Sequence, residues 1–416
     1  MAYNRIYWAI QALGIAREGS HNGAGAHSTS AGHKENVLHS IFTPGVQSVG
    51  ITTTFNLEQV FEMGQLSIYQ DVEEVPDVEI SIERVIDSFC LLYSRCADFN
   101  ASADVAGGGP TIAQMQNHKV DAWFTLTDDS KDNAGDDAPT NMIWMSGLYM
   151  SSASFSFATD GNLTESITLV GNHKKWMGAQ AGATPVYYMQ GVPSKYVDGD
   201  HATTSYVNDT SSEYGLETGR VQRRQNVRLY TQDTDAAGLT NAHRDLSGMT
   251  GAWSSVDSQP TAANEAKITS ATISVDFGRE QINVLGQKLP YYRYVTFPVE
   301  VTCEIEVLAR GADNVDALPE ANNVNERRLE FFIEPIEELK SPIETYDKSA
   351  NGDLASDNAI AHFDLGSKNK LTSVTWGGGD TGGANATITY SYRNFNDLKV
   401  TSHRPDWNAN TPKLDN

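Results

Sequence analysis

Along much of this chain, apolar and polar residues alternate one for one. Val78, Ile80 and Ile82 alternate with Asp77, Glu79, Ser81 and Glu83. Val299, Val301, Cys303, Ile305 and Val307 alternate with Glu300, Thr302, Glu304 and Glu306. Ala153, Phe155 and Phe157 alternate with Ser152, Ser154 and Ser156; Leu329, Phe331 and Ile333 share one side of their segment, and residues 387–392 are β-branched or aromatic in alternation. A period of two is that of a strand with one buried face. Residues 57–63 instead suggest a short helix, with Asn56 as N-cap and Gly64 as stop; Gly278 and Gly286 offer the same pair farther on. The expected fold class is therefore mainly β, a β-sandwich with a short flanking helix (α+β). Residues 1–16 place Arg5 before a short apolar stretch that Gln11 interrupts, which predicts a buried strand rather than an export signal.

The chain also repeats itself. At an offset of 222, Phe55, Glu58, Gln59, Gly64, Gln65, Tyr69 and Pro76 coincide with Phe277, Glu280, Gln281, Gly286, Gln287, Tyr291 and Pro298, 7 identities in 22 positions. The offset stays near that value elsewhere. Glu79 to Glu83 faces Glu300 to Glu304, Met150 to Phe155 faces Leu371 to Trp376, Ile167-Thr168 faces Ile388-Thr389, and Arg5 to Tyr7 resembles Arg228 to Tyr230. Persistence of one offset at separated places predicts an internal duplication. The expected organisation is a first unit over residues 1–177, a linker or long loop over 178–225, and a second unit with a C-terminal tail over 226–416. Phe55, Gly64, Pro76, Phe277, Gly286 and Pro298 form the repeat signature.

Composition narrows the function. Charged residues are 20% and hydrophobic ones 39%, which suits a folded globular chain. No run approaches the roughly 18 apolar residues of a membrane span. The formal net charge of −23 argues against a protein that grips nucleic acid, because such binding relies on Lys and Arg against phosphate. Three cysteines, Cys90, Cys96 and Cys303, have no metal-ligand spacing, and their odd number fits a reducing compartment.

No catalytic constellation stands out. His21, His27, His33 and His39 recur every six residues without a flanking scaffold, so a flexible loop is preferred to a metal site. Gly107 to Pro110 and Gly377 to Asp380 lack the Lys and the helix of a phosphate loop. Asp128-Asp129 and Asp136-Asp137 lack the calcium-loop pattern. No cofactor and no metal is expected, and no enzymatic role. The long polar stretches 17–35, 98–117, 127–140 and 310–325 suit subunits that reach their neighbours. The cluster Arg220, Arg223 and Arg224 is either a patch that docks on an acidic neighbour or a solvated loop.

Residues 45–69, with 276–287 and 290–300, resemble segments of the tail tube, or major tail, proteins of long-tailed bacteriophages. The resemblance covers about a ninth of the chain. It implies sandwich domains whose inner sheets join, six to a ring, into a 24-stranded barrel, and rings that stack into a tube conducting double-stranded DNA without specific binding. Two such domains per chain would make the ring a homotrimer with pseudo-sixfold symmetry. The implied partners are further copies of the chain and, along the tail, sheath, terminator and baseplate proteins, with no membrane. The implied location is the virion tail, after assembly in the host cytoplasm. Glu79, Glu83, Glu300, Glu304 and Glu306 are the candidate lumen-lining acids, since an acidic wall repels DNA; an outer solvated face for the same strands is the other reading. A terminator, a sheath-like subunit, or an adhesin using Trp176, Trp253, Trp376 and Trp407 remain alternatives.

Overall fold

The computed structural model describes residues 5–17, 39–43, 45–87, 91–96, 111–130, 140–178, 188–190, 221–232, 267–309, 328–333, 361–378, 385–402, 404–405 and 414–415. Its centre is a continuous run of eight antiparallel strands. One quartet is β3 (Val46–Thr54), β6 (Asp77–Val85), β9 (Thr164–Gly171) and the C-terminal half of β8 (Asn141–Ala158), in that spatial order. The other is β13 (Lys267–Asp276), β16 (Glu300–Leu308), β20 (Thr387–Phe395) and β19 (Lys370–Gly377). β8 pairs with β13 from Ser152–Asp276 to Ala158–Ser270 and welds the quartets edge to edge. β3 and β19 are left as the two ends of the run.

Behind each quartet lies a second layer. The first contains β1 (Gln11–Arg17), β7 (Val120–Leu126), the N-terminal half of β8 and β10 (His173–Gly178), extended beyond β1 by β2 (His39–Phe42) and β11 (Tyr188–Gln190). The second has the same order: β12 (Val227–Gln232), β17 (Arg328–Ile333), β18 (Ala361–Asp364) and β21 (Lys399–Ser402). β8 is one long strand that serves both layers, whereas β18 and β19 are separate. The chain is mainly β, as its alternating pattern predicts.

The alternation decides which face is buried. Val78, Ile80 and Ile82 of β6, and Val301, Cys303, Ile305 and Val307 of β16, lie in the core. Under the β8–β13 weld an aromatic cluster closes the gap between layers. Phe155 meets Phe363 edge-on with ring centroids 4.7 Å apart, and Phe157 stacks on Phe331 at 5.5 Å. Tyr93, on the short helix α1 (Leu92–Arg95), meets Phe155 at 5.8 Å. Helix α1 is tied down by the buried carboxylate of Glu165, which accepts from the Leu92 and Tyr93 amides at 3.0 and 2.8 Å. Arg84, equally buried, stands 3.7 Å from Glu165 and 2.7 Å from Asp87.

One expectation needs correction. Residues 57–63 are not a helix. β4 (Leu57–Phe61) pairs with β5 (Ile68–Glu73) in a hairpin, and β14 (Glu280–Ile282) pairs likewise with β15 (Tyr292–Tyr294). Gly64 and Gly286 do adopt positive φ, 106° and 84°, but between the strands of a hairpin rather than at a helix end. A short apolar run cannot by its period tell strand from helix, and here a partner strand decides. The stretch 178–225, expected as a linker or long loop, is described at residues 178, 188–190 and 221–225. It contributes β11, and the Gln222 amide donates to the Ile86 carbonyl at 2.8 Å while its carbonyl accepts from Leu163 at 3.1 Å.

The strand pairing matches the two quartets in a register two residues away from the one that sets Glu79 against Glu300. The quartets share two β-bulges, at Val46/Ser48 and Ile268/Ser270, and at Met150/Ser152 and Leu371/Ser373. Aligned on these, Ile82 answers to Ile305 and Ile167 to Tyr390. Glu79 then answers to Thr302, and Glu83 to Glu306. A slip of two residues keeps every side chain on its own face, so the sequence pattern could not detect it.

The quartet ends differ in burial from the weld. Phe155 is 0% exposed, whereas Trp376, its counterpart on the end strand β19, is 52% exposed. Phe155→Ala should cost about 3–5 kcal/mol of unfolding free energy, as large aromatic truncations in a core do. Trp376→Ala in the isolated chain should cost less than about 1 kcal/mol. Urea denaturation followed by circular dichroism measures both.

Candidate assembly surface

The face of the eight-stranded run that points away from the core is almost entirely hydroxyls and carboxylates. β3 presents Ser48, Gly50, Thr52 and Thr54, and β6 presents Glu79, Ser81 and Glu83. Ser166 and Thr168 of β9 follow, then Ser152, Ser154 and Ser156 of β8. Beyond the weld come Ser270, Thr272 and Ser274 of β13, and Glu300, Thr302, Glu304 and Glu306 of β16. β20 adds Thr387, Thr389 and Ser391, and β19 adds Ser373 and Thr375. All of these are half-buried or exposed. The five acids singled out from the sequence thus share one side of one sheet, although they come from strands separated by three others.

Glu306 is the best-held of the five. It accepts from Thr269 Oγ1 at 3.0 Å and Ser270 Oγ at 3.1 Å. Partial burial would raise its pKa, but these hydroxyls together with Thr387 hold it below the ordinary carboxylate value. The neighbouring hydroxyls also bond laterally: Ser274 and Thr302 are 2.6 Å apart. The cations among the described side chains of this face are Lys370 and Arg393, which sit opposite each other on β19 and β20. Arg393 lies 3.7 Å from Glu300 and over the ring of Phe395 at 5.3 Å.

The two hairpins differ in what they touch. β14–β15 folds across the weld onto the first quartet. Arg279 donates to the carbonyls of Met115 at 2.6 Å and Gln116 at 2.9 Å, and lies 4.8 Å over the Tyr149 ring. Burial lowers its pKa to about 10, so it stays cationic at neutral pH. Arg293 bonds Asp77 at 2.6 Å and Asn172 at 3.2 Å, Tyr292 hydrogen-bonds Asn117, and Phe277 is 0% exposed. By contrast every residue of β4 and β5 is exposed, Phe55 is 72% exposed, and Met63 and Leu66 are fully so. Leu285, at the other hairpin, is equally bare. Sequence reasoning missed Arg279, Arg293 and Arg393, because a lone arginine in a β-rich stretch carries no spacing signal.

Other sequence candidates come together less. Arg223 and Arg224 are exposed, beside the short turn that begins the second half. Arg220 lies outside the described residues, as do His21, His27, His33, Asp136, Asp137, Gly107 to Gly109, Cys90, Trp253 and Trp407. Most of the stretches 17–35, 98–117, 127–140 and 310–325 also falls outside them. Trp176 and Trp376 are both half exposed but lie in different layers. Among the described residues no three His, Cys, Asp or Glu side chains gather as a metal site.

No family model and no curated protein matches this chain. Among solved structures, a chain of the "Cryo-EM structure of the anti-feeding prophage (AFP) baseplate, 6-fold symmetrised" is similar over 42% of this chain and 96% of its own, at 10% identity and a TM-score of 0.27.

The hydrogen-bonded carboxylate of Glu306 predicts a pH effect. Its folded pKa is depressed, so its contribution is present above the ordinary carboxylate pKa of about 4.3 and is lost as pH falls through the folded value. Glu306→Gln should show a shallower fall in Tm than the wild type on acidification from about pH 5 to about pH 3, read by scanning calorimetry.

Proposed function

We propose that this protein is a structural subunit of a bacteriophage tail tube. In this reading residues 1–177 and 226–416 are two copies of one tube domain. The observation that carries it is the eight-stranded run itself: two quartets of matching order and matching bulges, joined edge to edge, with a polar face on one side. A strand edge in a sheet is a template for another chain. β19 stands where β8 stands, and β3 where β13 stands, so the β8–β13 weld supplies the pattern for a β19–β3 weld between chains.

Burial favours the same junction. The core-side residues of the weld, Ala153 and Phe155 with Ala271, Ile273 and Val275, are all buried. Their counterparts on the end strands, Val374 and Trp376 with Val49, Ile51 and Thr53, are only half-buried or are exposed. Repeating the weld head to tail would cover them. Four strands per quartet and two quartets per chain make 24 strands from three chains, a homotrimeric ring with pseudo-sixfold symmetry. Closing the ring removes both edges.

The polar face would then line the lumen. Glu79, Glu83, Glu300, Glu304 and Glu306 would repel duplex DNA, which carries about one charge per 1.7 Å. The hydroxyls between them carry no charge, and the two cations described on this face, Lys370 and Arg393, sit opposite each other, Arg393 beside Glu300. DNA would pass without specific binding. Stacked rings would meet other virion proteins only at the ends and outer wall of the tube.

The weld register predicts which residues meet. Ser154 faces Ser274, so Thr375 of one chain should face Thr52 of the next. The double variant Thr52→Cys with Thr375→Cys should crosslink between chains under a short bismaleimide. Denatured products should end at three chains, about three times the 45.4 kDa chain. A ladder running past three chains, or no crosslink in assembled material, would count against the closed trimer.

A further inference from the structure

The two hairpins are equivalent in register yet opposite in charge at one matched position, and the surfaces they would meet differ by two added cations. Within the chain, Gln281 faces Arg293 and Glu280 faces Tyr294; in the first hairpin Gln59 faces Asp71 and Glu58 faces Val72. Asp71 therefore occupies the place of Arg293. The receiving surface changes in step. Arg293 reaches over the weld to Asp77 and Asn172 on the first quartet. On the second quartet the position of Asp77 is taken by Glu300, and that of Val170 by Arg393. Tyr149, beside Tyr292 at 6.1 Å, gives way to Lys370.

This inference rests on the head-to-tail junction proposed above. The geometry points to an ion pair between chains in which Asp71 of one copy lands between Arg393 and Lys370 of the next, the reverse in sign of the Arg293–Asp77 bridge inside the chain. Without Arg393 the same approach would set Asp71 against Glu300, a like-charge contact in the junction. Arg393 already lies 3.7 Å from Glu300 and is about half exposed, so one guanidinium can serve both carboxylates. Lys370 and Arg393 stand directly opposite each other on neighbouring strands, so an anion landing between them would meet two cations.

The sign reversal has a further consequence: it distinguishes the two junctions. If the first hairpin of one chain folded onto the first quartet of another, Asp71 would meet Asp77. If the second hairpin reached a second quartet, Arg293 would meet Arg393. The first of these opposes like charges outright, and in the second Arg293 would compete with Arg393 for Glu300, so alternation of the two quartets around the ring satisfies both bridges best. The partner that this surface fits is a second copy of this chain, in one register.

Charge reversal tests it. Asp71 lies on an exposed hairpin and Arg393 on a solvent-facing position, so each can be reversed with the fold checked by circular dichroism. Asp71→Arg alone and Arg393→Asp alone should each raise the concentration needed for half-assembly at least about tenfold, a change worth about 1.4 kcal/mol. The double reversal should restore assembly to within a few-fold of wild type. High salt should weaken wild-type assembly in the same direction. Single reversals that assemble like wild type would overturn the ion pair while leaving the tube reading standing. A double reversal no better than either single would overturn it as well. A wild-type chain that stays monomeric at every concentration and salt would take down both.

Discussion

The pairing of β8 with β13 is the contact on which the rest of the arrangement depends. It converts two four-stranded sheets into one eight-stranded surface and fixes their relative register from Ser152–Asp276 to Ala158–Ser270. It also buries Phe155 and Phe157 against Phe331 and Phe363 of the second layer. A β-sheet edge must be paired, covered or otherwise blunted. One pair of edges is satisfied inside the chain; β3 and β19 are of the same kind and have no second mate among the described residues.

Much of this was legible in the sequence, and the limits have physical causes. One-for-one alternation located β6, β16, β20 and the outer half of β8, and assigned their faces, because a strand's side chains have period two. That period also placed Glu79, Glu83, Glu300, Glu304 and Glu306 on solvent-facing positions. The same period hid the true correspondence of Glu79 with Thr302, since a two-residue slip costs nothing in facing. The hairpins read as helices in the sequence because Leu57 to Met63 buries no stripe in the chain; its partner strand alone reveals its form. Long-range pairs such as Arg293 with Asp77, 216 residues apart, leave no local trace at all.

Charge divides the molecule into two kinds of surface. The middle of the polar face carries carboxylates held by hydroxyls, as Glu306 is by Thr269, Ser270 and Thr387. Four cations border this face: Arg279 and Arg293 lie at the weld, and Lys370 and Arg393 lie on β19 and β20. In so acidic a chain, with 53 acids to 30 bases, the proposed junction would use the latter two cations for cohesion and leave the rest of the face acidic.

The measurement that tests the central claim most directly is cryo-electron microscopy of the assembled protein, reconstructed without imposed symmetry. The account predicts a hollow ring of three chains, six similar lobes, β19 of each chain hydrogen-bonded to β3 of the next, and the five acids facing the channel. A ring of six full chains, or those acids on the outer wall, would contradict it.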